Sequence, residues 1–308
     1  MEELKTIINY DVYHKLIEGK VDSIFVILNK SVNELHDLTR LSIELLETIK
    51  KEANNIALKQ TFCTAEQVPP WDRISTGCSN IDSVLHGGIP INGITEIYGC
   101  SGVGKTQFCL QLVLMVQLPK SVGGKEKEAV YICTEDVFPS KRFHQLANTF
   151  KNKYNLNHYD FGDKVHLEHA ADFEQLRRCL CVRLPQLLNL KNVGLIIVDS
   201  IAGVFRSENN DICYSSRGQD IGIIGSALHH ICYKYKVGIV CINQVAENFA
   251  TEKTEPCLGL AWSNNVTCRF CITRNNNSRI RDFEVIFAPD LPNTRCNFVV
   301  NENGLRDL

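Results

Sequence analysis

The stretch that most limits the possible folds is "GITEIYGCSGVGKTQFCLQLVLMVQL", residues 93 to 118. An apolar run predicts a strand, a longer apolar run predicts a helix, and between them lies GxxxxGK[ST]. Glycines in such a strand-to-helix turn let successive backbone N–H groups curl around phosphate oxygens at the helix N-terminus. The segment Gly99, Cys100, Ser101, Gly102, Val103, Gly104, Lys105 and Thr106 therefore reads as a nucleotide cradle. Lys105 is placed to reach the β- and γ-phosphates, and the Thr106 hydroxyl to bind Mg²⁺.

Downstream the chain alternates. "EAVYICTE", "KVHLEHA", "VGLIIVDS" and "VGIVCINQ" read as strands, separated by helical stretches such as "SKRFHQLANTF" and "FEQLRRCLCVRLPQLLNL". Near-continuous apolar strands between helices imply an α/β fold with a parallel sheet buried on both faces. The last part changes character. "NNVTCRFCITR", "DFEVIFAP" and "CNFVVNENG" follow one another without helices, so an antiparallel C-terminal extension of the sheet is expected.

Three strand ends carry chemistry. Asp199, closing "LIIVD", is expected to hold Mg²⁺ with Thr106. Glu135, after "YICT", is a carboxylate able to polarise a water for attack on a γ-phosphate. The Asn243–Gln244 amides, at the end of "VCINQ", are candidates for sensing that phosphate.

Before residue 74 the pattern differs. Residues 1–57 read as a small helical domain, with Ser31 and Ser42 as N-caps. Residues 58–73, "LKQTFCTAEQVPPWDR" with its proline pair, read as a linker to the core at 74–308. No stretch approaches the roughly 20 apolar residues of a membrane span, so no membrane role is expected. The net charge of −2 supplies no global field for nucleic acid, so any DNA contact must be local. Fourteen cysteines lie mostly within apolar runs, as reduced thiols do in the cytosol or nucleus. "CRFC", Cys268 to Cys271, reads as part of a strand and not as a zinc site, since no second pair follows at the required spacing.

These motifs together resemble the RecA-type recombinase family, in its eukaryotic and archaeal branch, over about residues 60 to 308. "STGCSNIDSVLHGGIP", "YICTEDVFPSKRF" and "VCINQV" carry the likeness beyond the phosphate loop. Within that branch the chain looks like a recombinase paralogue. The resemblance implies ATP and Mg²⁺ as ligands, Glu135 as the catalytic glutamate, Arg142 against the adenine and Gln244 as γ-phosphate sensor. It matches "SENNDICYSSRGQD" to the first DNA loop, with Arg217 as its basic contact and Arg206 just before it, and "AENFATEKTEPCLG" to the second. "FCTA" matches the FxxA polymerisation motif, in which Phe62 and Ala65 dock on a neighbouring protomer. A heterodimer with the recombinase paralogue of the C type is implied, with contact to the main recombinase filament on single-stranded or branched DNA. The implied setting is the nucleus, and also the cytoplasm.

Some positions depart from the pattern. The second loop carries Glu247, Glu252 and Glu255 against Lys253, poor company for phosphates. "LTRLSIELLETI" lacks a glycine-containing turn for duplex binding, and Phe287 replaces an acid that caps a neighbour's ATP in the main recombinase. Two readings therefore stand: a DNA-dependent ATPase of homologous recombination, slow alone, or an adaptor that uses ATP as an assembly clamp. A RecA-fold helicase or unrelated phosphate-loop ATPase is disfavoured by "FCTA" and "STGCSNIDSVLHGGIP".

Overall fold

The computed structural model describes residues 8–61, 64–206, 214–248, 253–274 and 279–308. Its contacts divide it into two units, Met1–Pro70 and Trp71–Leu308.

The first unit is helical: α1 (Tyr10–Glu18), α2 (Ile24–Asn29), α3 (Val32–Thr39) and α4 (Ile43–Thr61). Ser31 forms a capping box with Glu34, each side chain satisfying the other's backbone N–H. Leu16, Ile27, Leu35, Leu46 and Ile49 close the core at helical spacing. The turn before α4 puts Arg40 in the left-handed region, φ 56°, where a glycine would be less strained. Helix α4 runs past residue 57, where the helical domain was expected to end, and its apolar face continues through Ala53 and Ile56. Ala65 follows in a short exposed 3₁₀ turn, Ala65–Gln67. Phe62 lies outside the described residues.

The second unit opens with β1 (Arg73–Ile74), α5 (Ser79–Val84), β2 (Ile89–Pro90) and β3 (Ile94–Tyr98). Then come α6 (Lys105–Met115), β4 (Glu128–Cys133), α7 (Ser140–Tyr154) and β5 (Val165–His169). Next are α8 (Phe173–Arg178), α9 (Leu184–Leu190), β6 (Val193–Asp199), α10 (Tyr214–Tyr235) and β7 (Gly238–Asn243). The chain ends with β8 (Val245–Asn248), β9 (Lys253–Pro256), α11 (Gly259–Ser263) and β10 (Cys268–Arg274), then β11 (Ile280–Phe287), β12 (Arg295–Asn301) and β13 (Gly304–Arg306).

A nine-stranded sheet of order β13-β12-β11-β10-β3-β7-β6-β4-β5 organises this unit. From β10 to β5 all neighbours are parallel, and from β10 to β13 all are antiparallel. This is the RecA-like α/β architecture expected, with its parallel centre and antiparallel C-terminal strands. Alternate residues feed two cores. Ile197 and Val240 pack with Phe108, Leu112 and Phe150 on the α6–α7 side. Ile196, Val198 and Ile239 pack with Leu180, Ile224 and Leu228 on the α8–α10 side. Each fully buried Leu or Ile stabilises the fold by roughly 1.5–3 kcal/mol, so the two-sided sheet, not local propensity, fixes the strand ends that carry the site.

Two helices carry local irregularities. The stretch 173–190 is broken by a π turn at Cys179–Arg183. Pro185 has no N–H to donate to the carbonyl four residues back, and the ladder shifts to accommodate it. Helix α10 starts at Tyr214 despite Gly218 and Gly222 in its first turns. Ile221, Ile224, Leu228 and Ile231 bury one face, and that packing overrides the low propensity. Cys268 and Cys271 sit buried on β10, their thiols pushed up by desolvation, that of Cys268 to about 12. Among the described residues no helix is long and apolar enough to cross a membrane.

Candidate nucleotide site

The β3–α6 turn folds as a phosphate loop because its glycines allow it. A Cβ on Gly99 would lie 2.2 Å from the Ile272 carbonyl oxygen, so the neighbouring strand β10 leaves no room for a side chain. Gly104 opens α6 at φ 110°, a conformation side chains rarely tolerate. With the loop so curled, Lys105 Nζ donates to the Gly99 and Cys100 carbonyls at 2.7 and 2.8 Å. Burial holds the Lys105 ammonium below its ordinary pKa, partly offset by the charge of Asp199. An ammonium with only neutral carbonyl partners is ready to exchange them for phosphate oxygens.

Strand β6 delivers Asp199 beside α6. Its Oδ2 accepts from Thr106 Oγ1 at 3.0 Å and from Tyr131 Oη at 2.6 Å. Burial raises the Asp199 pKa, and the two hydroxyl donors work against that rise. The oxygen-only pair of a threonine hydroxyl and a desolvated carboxylate suits a hard divalent cation. A cavity of about 410 Å³ covers these groups, and Gly102, Lys105, Thr106, Glu135, Asp199, Gln244 and Arg281 line it. The loop, the Thr106–Asp199 oxygen pair and the cavity fit a Mg²⁺–nucleoside triphosphate.

Across this cavity stands an acid–amide–arginine cluster. Glu135 Oε2 accepts from Gln244 Nε2 at 2.6 Å and from Ser200 Oγ at 2.9 Å. Glu135 Oε1 accepts from Arg206 Nη1 at 2.9 Å, and Arg206 Nη2 donates to Gln244 Oε1. So Arg206, which the resemblance offers as a DNA contact, bonds two residues that line the nucleotide cavity. Arg217, expected within the first DNA loop, sits in the first turn of α10, half-buried. The rest of that loop, 207–213, lies outside the described residues, as do residues 249–252 of the second. Around the latter gap β8 and β9 pair as a hairpin, Val245 opposite Pro256.

Asn243 does not join Gln244 in the site. Neighbouring residues on a strand point to opposite faces, and Asn243 turns inward, donating to Glu96 Oε1 at 2.6 Å and to the Cys257 carbonyl at 2.8 Å. Arg142 links three elements. Its Nε donates to Gln107 Oε1 at 2.7 Å, and its other nitrogens to Gln145 and to the Asn301 and Glu302 carbonyls. It borders an open cavity shared with Phe138, Pro139 and Gln145.

Sequence reading missed two groups. Arg281 on β11 is buried and donates Nε to the Val103 carbonyl at 2.7 Å, bracing the phosphate loop from the antiparallel strands. Nothing in "SRIRDFE" marks one arginine over the others. Glu96 is fully buried in β3 and accepts from Asn243, from Trp262 Nε1 at 2.9 Å and from Arg269 Nε. A lone acid in the apolar run "GITEIYG" is the signal that could have found it. Phe287 stacks under the Arg269 guanidinium, 5.2 Å from its ring centre.

A parallel sheet with antiparallel tail, a phosphate loop at its central strand and an acid on the next strand but one define a RecA-type phosphate-loop protein. The family model Rad51 matches residues 71–308. The chain is 32% identical over 320 residues to the DNA repair protein XRCC3 of Bos taurus, covering 94% of this chain and 93% of that protein. It is 33% identical over 325 residues to the DNA repair protein XRCC3 of Mus musculus, with the same coverage. It is 31% identical over 335 residues to the DNA repair protein rhp57 of Schizosaccharomyces pombe, covering 93% of each. The chain belongs to the Rad51 family.

Proposed function

We propose that this protein is a recombinase paralogue that binds ATP with Mg²⁺ and acts in homologous recombination repair of DNA double-strand breaks. The relatives named as DNA repair proteins support the setting. The observation that carries the nucleotide reading is one cavity holding Lys105 and the Thr106–Asp199 pair on one side and Glu135 with Gln244 on the other.

In this reading Lys105 leaves the Gly99 and Cys100 carbonyls for the β- and γ-phosphates. Thr106 and Asp199 hold Mg²⁺, which neutralises phosphate charge when bound. Glu135 accepts a proton from the attacking water, Gln244 reports the γ-phosphate to the β8–β9 hairpin, and Arg142 with its neighbouring cavity receives the base. The protein works as a heterodimer with a paralogue of the C type and supports the recombinase filament on single-stranded or branched DNA, in the nucleus and also the cytoplasm. Phe62 and Ala65 dock on the adjoining protomer, and Arg217 serves DNA.

A second reading, an adaptor that uses ATP as a clamp, is favoured by one observation: both oxygens of Glu135 are already occupied by protein donors. Turnover by the chain alone is therefore slow in either case.

Equilibrium binding of a fluorescent ATP analogue with Mg²⁺ tests the site. Lys105→Ala should weaken binding at least about tenfold, as loss of a charged hydrogen bond worth roughly 1.5–3 kcal/mol requires. Equal affinity of the two proteins would reject the site.

A further inference from the structure

Glu135, Gln244 and Arg206 form a closed ring in which each side chain bonds the other two. Ser200 adds a third donor to the carboxylate. A general base must direct a free lone pair at the water it activates, and a sensor amide must be free to meet a phosphate. Here three of the carboxylate's roughly four acceptor positions are taken, and carboxylate and amide are tied to each other and to one guanidinium.

The local chain builds this contact. Val204 and Phe205 bury their side chains in the core and anchor a short 3₁₀ turn. Gly203 lets that turn lie against Glu135, since a Cβ there would sit 2.5 Å from Glu135 Cγ. Arg206, the next residue after the turn, must then reach back across the carboxylate. Its side chain remains 51% exposed, against 30% for Glu135. An ion pair this open is weakly held, and a guanidinium has high bidentate affinity for phosphate. Arg206 also immediately precedes the stretch matched to the first DNA loop.

We propose that Arg206 is a positioning residue that holds Glu135 and Gln244 in this ring until a nucleic-acid backbone phosphate takes its guanidinium. This rests on the reading of Glu135 as base. Binding of DNA and freeing of Glu135 are then one event, so the coupling must be reciprocal. Removing the Glu135 charge releases Arg206 for DNA, and removing Arg206 releases Glu135 for catalysis.

The test uses the full chain and a labelled single-stranded oligonucleotide, by fluorescence anisotropy without nucleotide. Glu135→Gln should bind about three- to tenfold tighter than the unmodified protein. Arg206→Gln should bind more weakly, and the double variant should show no gain from the Glu135 change. In steady-state hydrolysis without DNA, Arg206→Gln should raise kcat several-fold at unchanged KM for ATP and lose DNA stimulation, while Arg206→Lys should fall between. Equal DNA affinity of the Glu135→Gln and unmodified proteins, a gain that persists in the double variant, or no DNA binding by any of the four would overturn the proposal. So would a lower kcat in Arg206→Gln. A hydrolysis rate untouched by Glu135→Gln would instead defeat Glu135 as base and leave the binding cycle to be judged alone.

Discussion

Asn243 donates its side-chain amide to Glu96 at 2.6 Å, a contact made between the parallel strands β7 and β3. Glu96 also holds Trp262 and Arg269. Asn243 Oδ1 in turn accepts the Gln244 backbone N–H at 2.8 Å. One buried carboxylate thus fixes both the start of the second loop, at Gln244, and the helix that follows it.

Glu96→Ala would strand the Trp262 indole N–H and take the charged partner from Arg269 and one acceptor from the Asn243 amide, which keep only Ser263 Oγ and the Cys257 carbonyl. Breaking a buried pair in this way costs about 3–5 kcal/mol. A loss of that size in urea unfolding, with the slope unchanged, is expected. A loss under about 1 kcal/mol would show that water satisfies the three donors.

Asp199→Asn should stabilise the nucleotide-free protein. The fold raises the Asp199 pKa by burial. Above its ordinary value, near 3.9, the unfolded chain has therefore lost a proton the folded chain keeps, and stability falls as pH rises through the folded pKa. Asn can accept from Thr106 and Tyr131 without that charge. The difference in melting temperature between variant and parent should be small at the acid end and grow toward neutral pH, with the variant higher. A constant difference, or one of opposite sign, would place the cost elsewhere. The same variant should lose Mg²⁺-dependent nucleotide binding.

Arg281→Lys keeps a charge but loses the Nε donor to Val103. Nucleotide affinity should drop about three- to tenfold with the circular dichroism spectrum unchanged. Full affinity would mean that the loop holds its shape without this brace.

Phe62→Glu puts an unpaired charge where an apolar pocket is expected on the neighbouring protomer, which is strongly unfavourable. Co-purification with the C-type paralogue or the main recombinase should be lost while the melting temperature is kept. Retained binding to both would remove the docking role of the linker.

The sequence made the phosphate loop, Asp199, Glu135 and Gln244 legible because each depends on local pattern: a motif between strand and helix, or a polar residue closing an apolar strand. The antiparallel tail was legible as strands without helices between them. What was hidden depends on contacts far apart in the chain. Arg206 meets Glu135 because β4 and β6 are neighbours and Gly203 lets the turn after β6 lie close. Arg281 reaches Val103 because β11 lies two strands from β3. The pairing of Glu96 with Arg269 needs β10 beside β3, an order no single-strand pattern encodes. The resemblance assigns Arg217 to a loop, whereas packing of Ile221, Ile224 and Leu228 extends α10 back to Tyr214.

Steady-state ATP hydrolysis by the protein, alone and with the C-type paralogue, with and without single-stranded DNA, tests the central claim most directly. Lys105→Ala and Glu135→Gln serve as controls. The account predicts slow turnover that DNA stimulates and that both substitutions abolish. Turnover equal to that of Glu135→Gln under every condition would contradict it and leave the nucleotide as a clamp.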